Sequence, residues 1–163
     1  MARDRFDPAE MERLIELAQQ ARADAYAPYS RFRVGAVVLT AGGRIFSGAN
    51  VENASYAATV CAERNAVMQA VLAGERELRA VVIASDDAAM IFPCGICRQV
   101  LAEFAQPETV IICTRGDGSY LSFRIEELLP HPFRRSEPSG DTGASPPESG
   151  LVPVRTEPDW KED

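Results

Sequence analysis

A chain of 163 residues with 46% hydrophobic content has the size of one globular domain and can bury a core without disulfide staples. Its net charge of −7 and its pI near 4.8 exclude a protein whose main affinity is for nucleic-acid backbones, which needs clustered Lys and Arg. A small, neutral or weakly charged ligand remains open.

Met1-Ala2-Arg3-Asp4-Arg5 leads into an amphipathic pattern with neither a signal-peptide core nor a membrane-spanning stretch, so a cytoplasmic location is expected. In a reducing compartment Cys61, Cys94, Cys97 and Cys113 are expected as metal ligands, catalytic groups or buried apolar residues rather than disulfides.

Asp7, Pro8 and Glu10 combine a capping carboxylate, Pro at the first helical position and Glu at the third, so a helix starts there. Met11, Leu14, Ile15, Ala18 and Ala25 form its apolar face, and Pro28 ends it. Residues 32–39 are rich in branched side chains and read as a strand; Gly42-Gly43 marks a hairpin, with residues 44–48 returning. Residues 50–56 are polar and read as a loop.

From Cys61 the spacing turns helical, with Ala62, Ala66, Val67, Ala70 and Val71 along one side and Gly74 as the stop. Residues 78–84 have the length and composition of a buried strand. Pro93-Cys94-Gly95 opens a second helix carrying Val100, Leu101 and Phe104, and residues 109–114 form another buried strand. Gly116-Asp117-Gly118 is too short for a crossover, so residues 120–123 should return antiparallel, followed by a helical turn at 125–129. This order predicts an α/β fold, a three-layer α/β/α sandwich around one five-stranded mixed sheet.

After Phe133 the composition changes. Residues 134–163 hold five Pro, three Gly and seven acidic residues, too little apolar surface to offset ordering entropy. The expectation is a catalytic domain over 1–133 and a flexible tail over 134–163, with residues 151–154 and Trp160 as its only docking points.

Hydrolytic zinc sites use three protein ligands and leave a fourth position for water. Cys61 at one helix start, with Cys94 and Cys97 at another, supplies three thiolates to one ion. The positive ends of the helices offset part of their charge. Glu63 is free of ligand duty, and a carboxylate beside an activated water is placed to carry its proton. Arg64 can reach a thiolate and offset more charge. Two blander readings stand beside this one: a closed structural zinc site completed by Cys113 or His131, and a redox pair at Cys94 and Cys97.

The stretches Asn50-Val51-Glu52-Asn53-Ala54-Ser55-Tyr56, Cys61-Ala62-Glu63-Arg64 and Pro93-Cys94-Gly95-Ile96-Cys97-Arg98-Gln99-Val100 resemble the cytidine deaminases of the small, homotetrameric type. Residues 27–36 and 127–133 resemble that family too. The resemblance implies one zinc per subunit on Cys61, Cys94 and Cys97, with Glu63 shuttling protons and Arg64 bonding the thiolates. It implies Asn50 and Glu52 on the ribose hydroxyls, Phe32 on the pyrimidine and the Ala54 backbone at the polar edge of the base. Tyr56 and Phe133 would come from a neighbouring subunit. Ile96 departs from the family, filling a usually small position between two ligands.

The expected activity is hydrolysis of cytidine and 2′-deoxycytidine to the uridine products and ammonia, in pyrimidine salvage, on a free nucleoside with no nucleic-acid polymer and no membrane. The alternatives are a deaminase of another aminopyrimidine, such as a nucleoside antibiotic, and a non-catalytic zinc-stabilised module.

Overall fold

The computed structural model describes residues 6–86 and 88–135. The tail residues 136–163, including the docking points at 151–154 and Trp160, lie outside the described residues.

The elements follow the expected order with shifted ends. Helix α1 (Pro8–Ala21) opens on Asp7, whose carboxylate accepts from Ala9 N at 3.0 Å. It stops before Pro28: Arg22–Asp24 tightens into a 3-10 turn, so Ala25 falls outside the helix. Strands β1 (Val34–Thr40) and β2 (Ile45–Ala49) form the hairpin, with Gly43 at φ 80°. Phe32 therefore lies in the loop before β1 and not in a strand.

Helix α2 (Ala62–Leu72), strand β3 (Leu78–Ser85), helix α3 (Gly95–Phe104), strands β4 (Ala105–Thr114) and β5 (Tyr120–Phe123) and helix α4 (Ile125–Leu128) complete the unit. Strand β4 begins directly at the end of α3, four residues earlier than its apolar run suggests. Thr109 explains the early start: its hydroxyl accepts from Gln106 N at 2.8 Å and donates to Leu78 O at 2.5 Å.

The sheet has the order β2-β1-β3-β4-β5. Only β3 and β4 run parallel, joined through α3; the other pairs, including β4 with β5, are antiparallel. Both faces are covered, which is why every residue of β1 is buried. Alternation divides that strand between two cores. Ala36 and Val38 join Val81, Ile83 and Ile111 under Ala62, Ala66 and Val67 of α2 and Leu101 of α3. Val37 and Leu39 join Ala80, Val82 and Ile112 under Met11, Leu14, Ile15 and Ala18 of α1. The result is a three-layer α/β/α sandwich.

One glycine sets the height of α2 above the sheet. A Cβ at Gly48 would stand 2.5 Å from Ala62 O and 2.5 Å from Ala66 N. Its absence lets the first turn of α2 rest on β2, where Asn65 Nδ2 and Gln69 Nε2 donate to Ala49 O and Ser47 O, each at 2.7 Å. The edge strand is capped and the helix start is fixed by the same contact.

Candidate metal centre

Cys61 and Cys94 are the N-cap residues of α2 and α3, and Cys97 lies in the first turn of α3. Neither cap residue bonds its own helix through its side chain, and both cap cysteines stand at the positive end of a helix dipole. The three Sγ atoms lie within 4.8 Å of one another, and Cys61 and Cys94 are 3.8 Å apart. Thiolates 2.3 Å from zinc at the corners of a tetrahedron stand about 3.8 Å apart, so the donor set fits that ion.

Among the described residues the group contains no fourth ligand. Cys113 is buried in β4 within the apolar core, where burial pushes its thiol up to about 12. His131 is not part of the cluster. Among the described residues, therefore, no fourth donor closes the site.

The electrostatics favour an anionic sulfur at Cys61. Hydrogen bonding from Cys97 draws the Cys61 thiol down to about 5 against the opposing effect of burial, with Arg64 helping. Cys97 moves the other way because it keeps the proton that it donates to Cys61. Arg64 Nη2 lies 3.8 Å from Cys61 Sγ and donates to Thr59 O at 2.8 Å, while its Nε is buried with no partner among the described residues.

Glu63, one residue into α2, is only 4% exposed. Burial raises its carboxyl to about 7, with the Cys61 charge adding to the rise. A group that exchanges its proton near neutrality is suited to move one.

The other residues singled out in the sequence stand in the connections between helices and strands, Tyr56 at the start of a 3-10 turn. Asn50 Oδ1 accepts from Val34 N and its Nδ2 donates to Phe32 O, both at 2.8 Å, so Asn50 pins the segment that carries Phe32. Those two bonds use one of the amide's two N–H groups. Glu52 accepts from Tyr29 N at 2.8 Å and Ser30 N at 3.2 Å, and from the Ser30 hydroxyl. That hydroxyl in turn accepts from Phe32 N at 3.0 Å. These bonds hold the Glu52 carboxylate below its usual range, the Ser30 hydroxyl first among them.

Asn53 shapes the next segment by accepting from Ser55 N at 2.8 Å, which fixes the exposed Ala54 backbone in an Asx turn. Three rings are left open: Phe32 is 39% exposed, Tyr56 77% and Phe133 76%. Ile96, between two ligands, is 62% exposed and turns away from the core. Phe92 packs on Phe123 at 5.7 Å between ring centroids.

Sequence reasoning assigned no role to Ser30, Gly48 or Gln99. Ser30 lay inside a recognised stretch, yet nothing in its residue type announced the bridge to Glu52. The need for Gly at position 48 is a contact with a helix fourteen residues further along, invisible in strand periodicity.

Comparison with known proteins follows the same lines. Residues 8–114 match the family described as the cytidine and deoxycytidylate deaminase zinc-binding region. A cytidine deaminase from Halalkalibacterium halodurans is 44% identical over 120 residues, covering 74% of this chain and 91% of the relative. A probable cytidine deaminase from Dictyostelium discoideum is 43% identical over 129 residues, covering 78% and 86%. The crystal structure of cytidine deaminase from Burkholderia pseudomallei superposes with a TM-score of 0.71 at 43% identity, covering 74% of this chain and 97% of that one.

Proposed function

The chain belongs to the cytidine and deoxycytidylate deaminase family with its zinc-binding region, and from that premise we propose that it hydrolyses cytidine and 2′-deoxycytidine to uridine and 2′-deoxyuridine with release of ammonia. The observation that carries this reading is the three-sulfur group at two helix starts, with no fourth ligand among the described residues and a buried Glu63 beside it. Cys61, Cys94 and Cys97 hold zinc, whose Lewis acidity lowers the pKa of water from 15.7 toward about 7.

The remaining work falls to the side chains. Oxygen from water bonds to C4 of the pyrimidine and the C4–N4 bond breaks. Glu63 receives one proton of that water and delivers it to N3, then passes the second to the departing amine, so that ammonia leaves and N3 stays protonated. The Glu63 carboxyl, raised to about 7 by burial, can both take and give a proton near neutral pH. Arg64 steadies the thiolates.

Asn50 and Glu52 accept the ribose, Asn50 through its remaining N–H and Glu52 through its carboxylate, both held in place by the loop that they brace. Phe32 packs on the base and the Ala54 backbone meets its polar edge. Tyr56 and Phe133, exposed on their own chain, complete the site of a neighbouring copy in a homotetramer. The catalytic unit is residues 1–133, and the setting is cytoplasmic pyrimidine salvage.

The test is conversion of cytidine by the zinc-loaded protein, followed by loss of ultraviolet absorbance and release of ammonia, with and without a chelator. Turnover that stops with zinc removal and returns with zinc supports the reading. Zinc-loaded protein that leaves both cytidine and deoxycytidine unchanged sinks it.

A further inference from the structure

Gln99 sits on α3, the helix that carries Cys97 in its first turn. Its side-chain amide meets the backbone of one residue twice: Nε2 donates to Phe133 O at 2.8 Å and Oε1 accepts from Phe133 N at 2.9 Å. Only one orientation of the amide satisfies both, and the pair reproduces the two bonds exchanged between facing residues of antiparallel strands. Arg98 adds a second tie, with Nη1 donating to Leu128 O at 3.0 Å while Nε donates to Pro93 O at 2.8 Å. Residues 128–133 are therefore anchored to the same helix as two of the three thiols.

The anchor faces away from the centre. Two residues along an α-helix correspond to about 200° around its axis. Cys97 is fully buried and Gln99 half-buried, so Gln99 and the Phe133 backbone occupy the side of α3 opposite Cys97. The Phe133 ring is nonetheless 76% exposed. A large apolar ring whose backbone is held by two hydrogen bonds, and which the core of its own chain leaves open, is presented outward.

We propose that Gln99 is a positioning residue that clamps the Phe133 backbone so that the ring enters the substrate site of a second copy of this chain. The proposal rests on the reading that Phe133 acts in trans. It adds a mechanical link, because α3 holds two thiols of its own site and aims a ring at another.

The experiment is a double-mutant cycle on the zinc-loaded enzyme with cytidine as the probe. Gln99→Met keeps the length of the side chain and removes both hydrogen bonds. It should raise KM about five- to tenfold with kcat within about twofold, at wild-type zinc content. In a Phe133→Ala background the same change should add less than about twofold, since the clamp has lost what it holds. Gln99→Glu keeps the acceptor for Phe133 N but loses the donor, and its KM should fall between wild type and Gln99→Met.

Mixing Phe133→Ala chains with catalytically silent Glu63→Gln chains should restore a low KM, because the second chain supplies the ring. A Gln99→Met effect that persists in full beside Phe133→Ala overturns the clamp, as does a wild-type KM in both Gln99 variants. A wild-type KM in Phe133→Ala, or no recovery on mixing, overturns the trans reading beneath it.

Discussion

Two regions of this molecule are held in place by different physics. The metal centre is built on helix starts: Cys61, Glu63, Cys94 and Cys97 are placed by backbone that the core already fixes, through Ala62, Ala66 and Leu101 packed on the sheet. The region proposed to bind substrate is built on connecting segments, where Tyr56 and Phe133 stand largely open and Phe32 partly so. Those loops are shaped by single side chains bonding to backbone: Asn50 and Glu52 for residues 29–34, Asn53 for residue 55, Gln99 for residue 133. Chemistry that needs rigid geometry draws it from packing. The segments proposed to bind substrate draw their geometry from a few hydrogen bonds and leave their apolar rings exposed.

The contrast predicts that damage to the helix starts is catastrophic and damage to the loops graded. The largest effect is expected at Cys97. Cys97→Ala removes a thiolate from the trio and should lose zinc, with deamination falling to background; full zinc content in that variant, measured by metal analysis, would remove the three-thiolate site.

Gly48→Ala comes next, because a Cβ at 2.5 Å from two backbone atoms of α2 forces the helix start off the sheet. Overpacking of this kind costs about 1–3 kcal/mol. Thermal or denaturant unfolding should show that loss, and unchanged stability would mean that α2 is not seated by Gly48.

Ser30→Ala tests the loop side. It removes the hydroxyl that joins Glu52 to the Phe32 backbone, while Tyr29 N and Ser30 N still hold the carboxylate. KM for cytidine should rise about threefold with kcat little changed, the signature of lost binding that is equal in ground and transition states. A kcat collapse would place Ser30 with the chemistry and blur the division. Smallest of all should be deletion of residues 136–163, with kcat/KM within about twofold of wild type, as expected for changes away from buried or paired groups. A larger drop in steady-state assays would make the tail functional.

The same contrast explains what the sequence made legible. Helix starts advertise themselves: Asp7-Pro8, Cys61 before an alanine-rich face and Pro93-Cys94-Gly95 each mark a terminus, and each helix begins within a residue of its signal. Five strands and the antiparallel return of β5 followed from apolar runs and the length of one turn. The three sulfurs were readable because ligand chemistry restricts residue type and spacing. The loops were not, because their shape depends on partners distant in sequence. Phe32 alternates with Val34 in strand fashion, yet Asn50 and Ser30 hold its backbone in a loop, next to Arg31 at φ 58°. The α1 terminus falls earlier than the sequence suggests because Pro28 is a visible stop, whereas the 3-10 turn at Arg22 is not.

Under the proposed function, a three-thiolate zinc centre and the buried carboxyl beside it form one catalytic unit with separable parts. Glu63→Gln tests it most directly, with zinc content, unfolding and cytidine turnover measured on the same preparation. The variant should keep wild-type zinc and a folded chain with turnover reduced about 10²- to 10⁴-fold, the usual contribution of a positioned proton carrier. Turnover near the wild-type rate with zinc in place would contradict it.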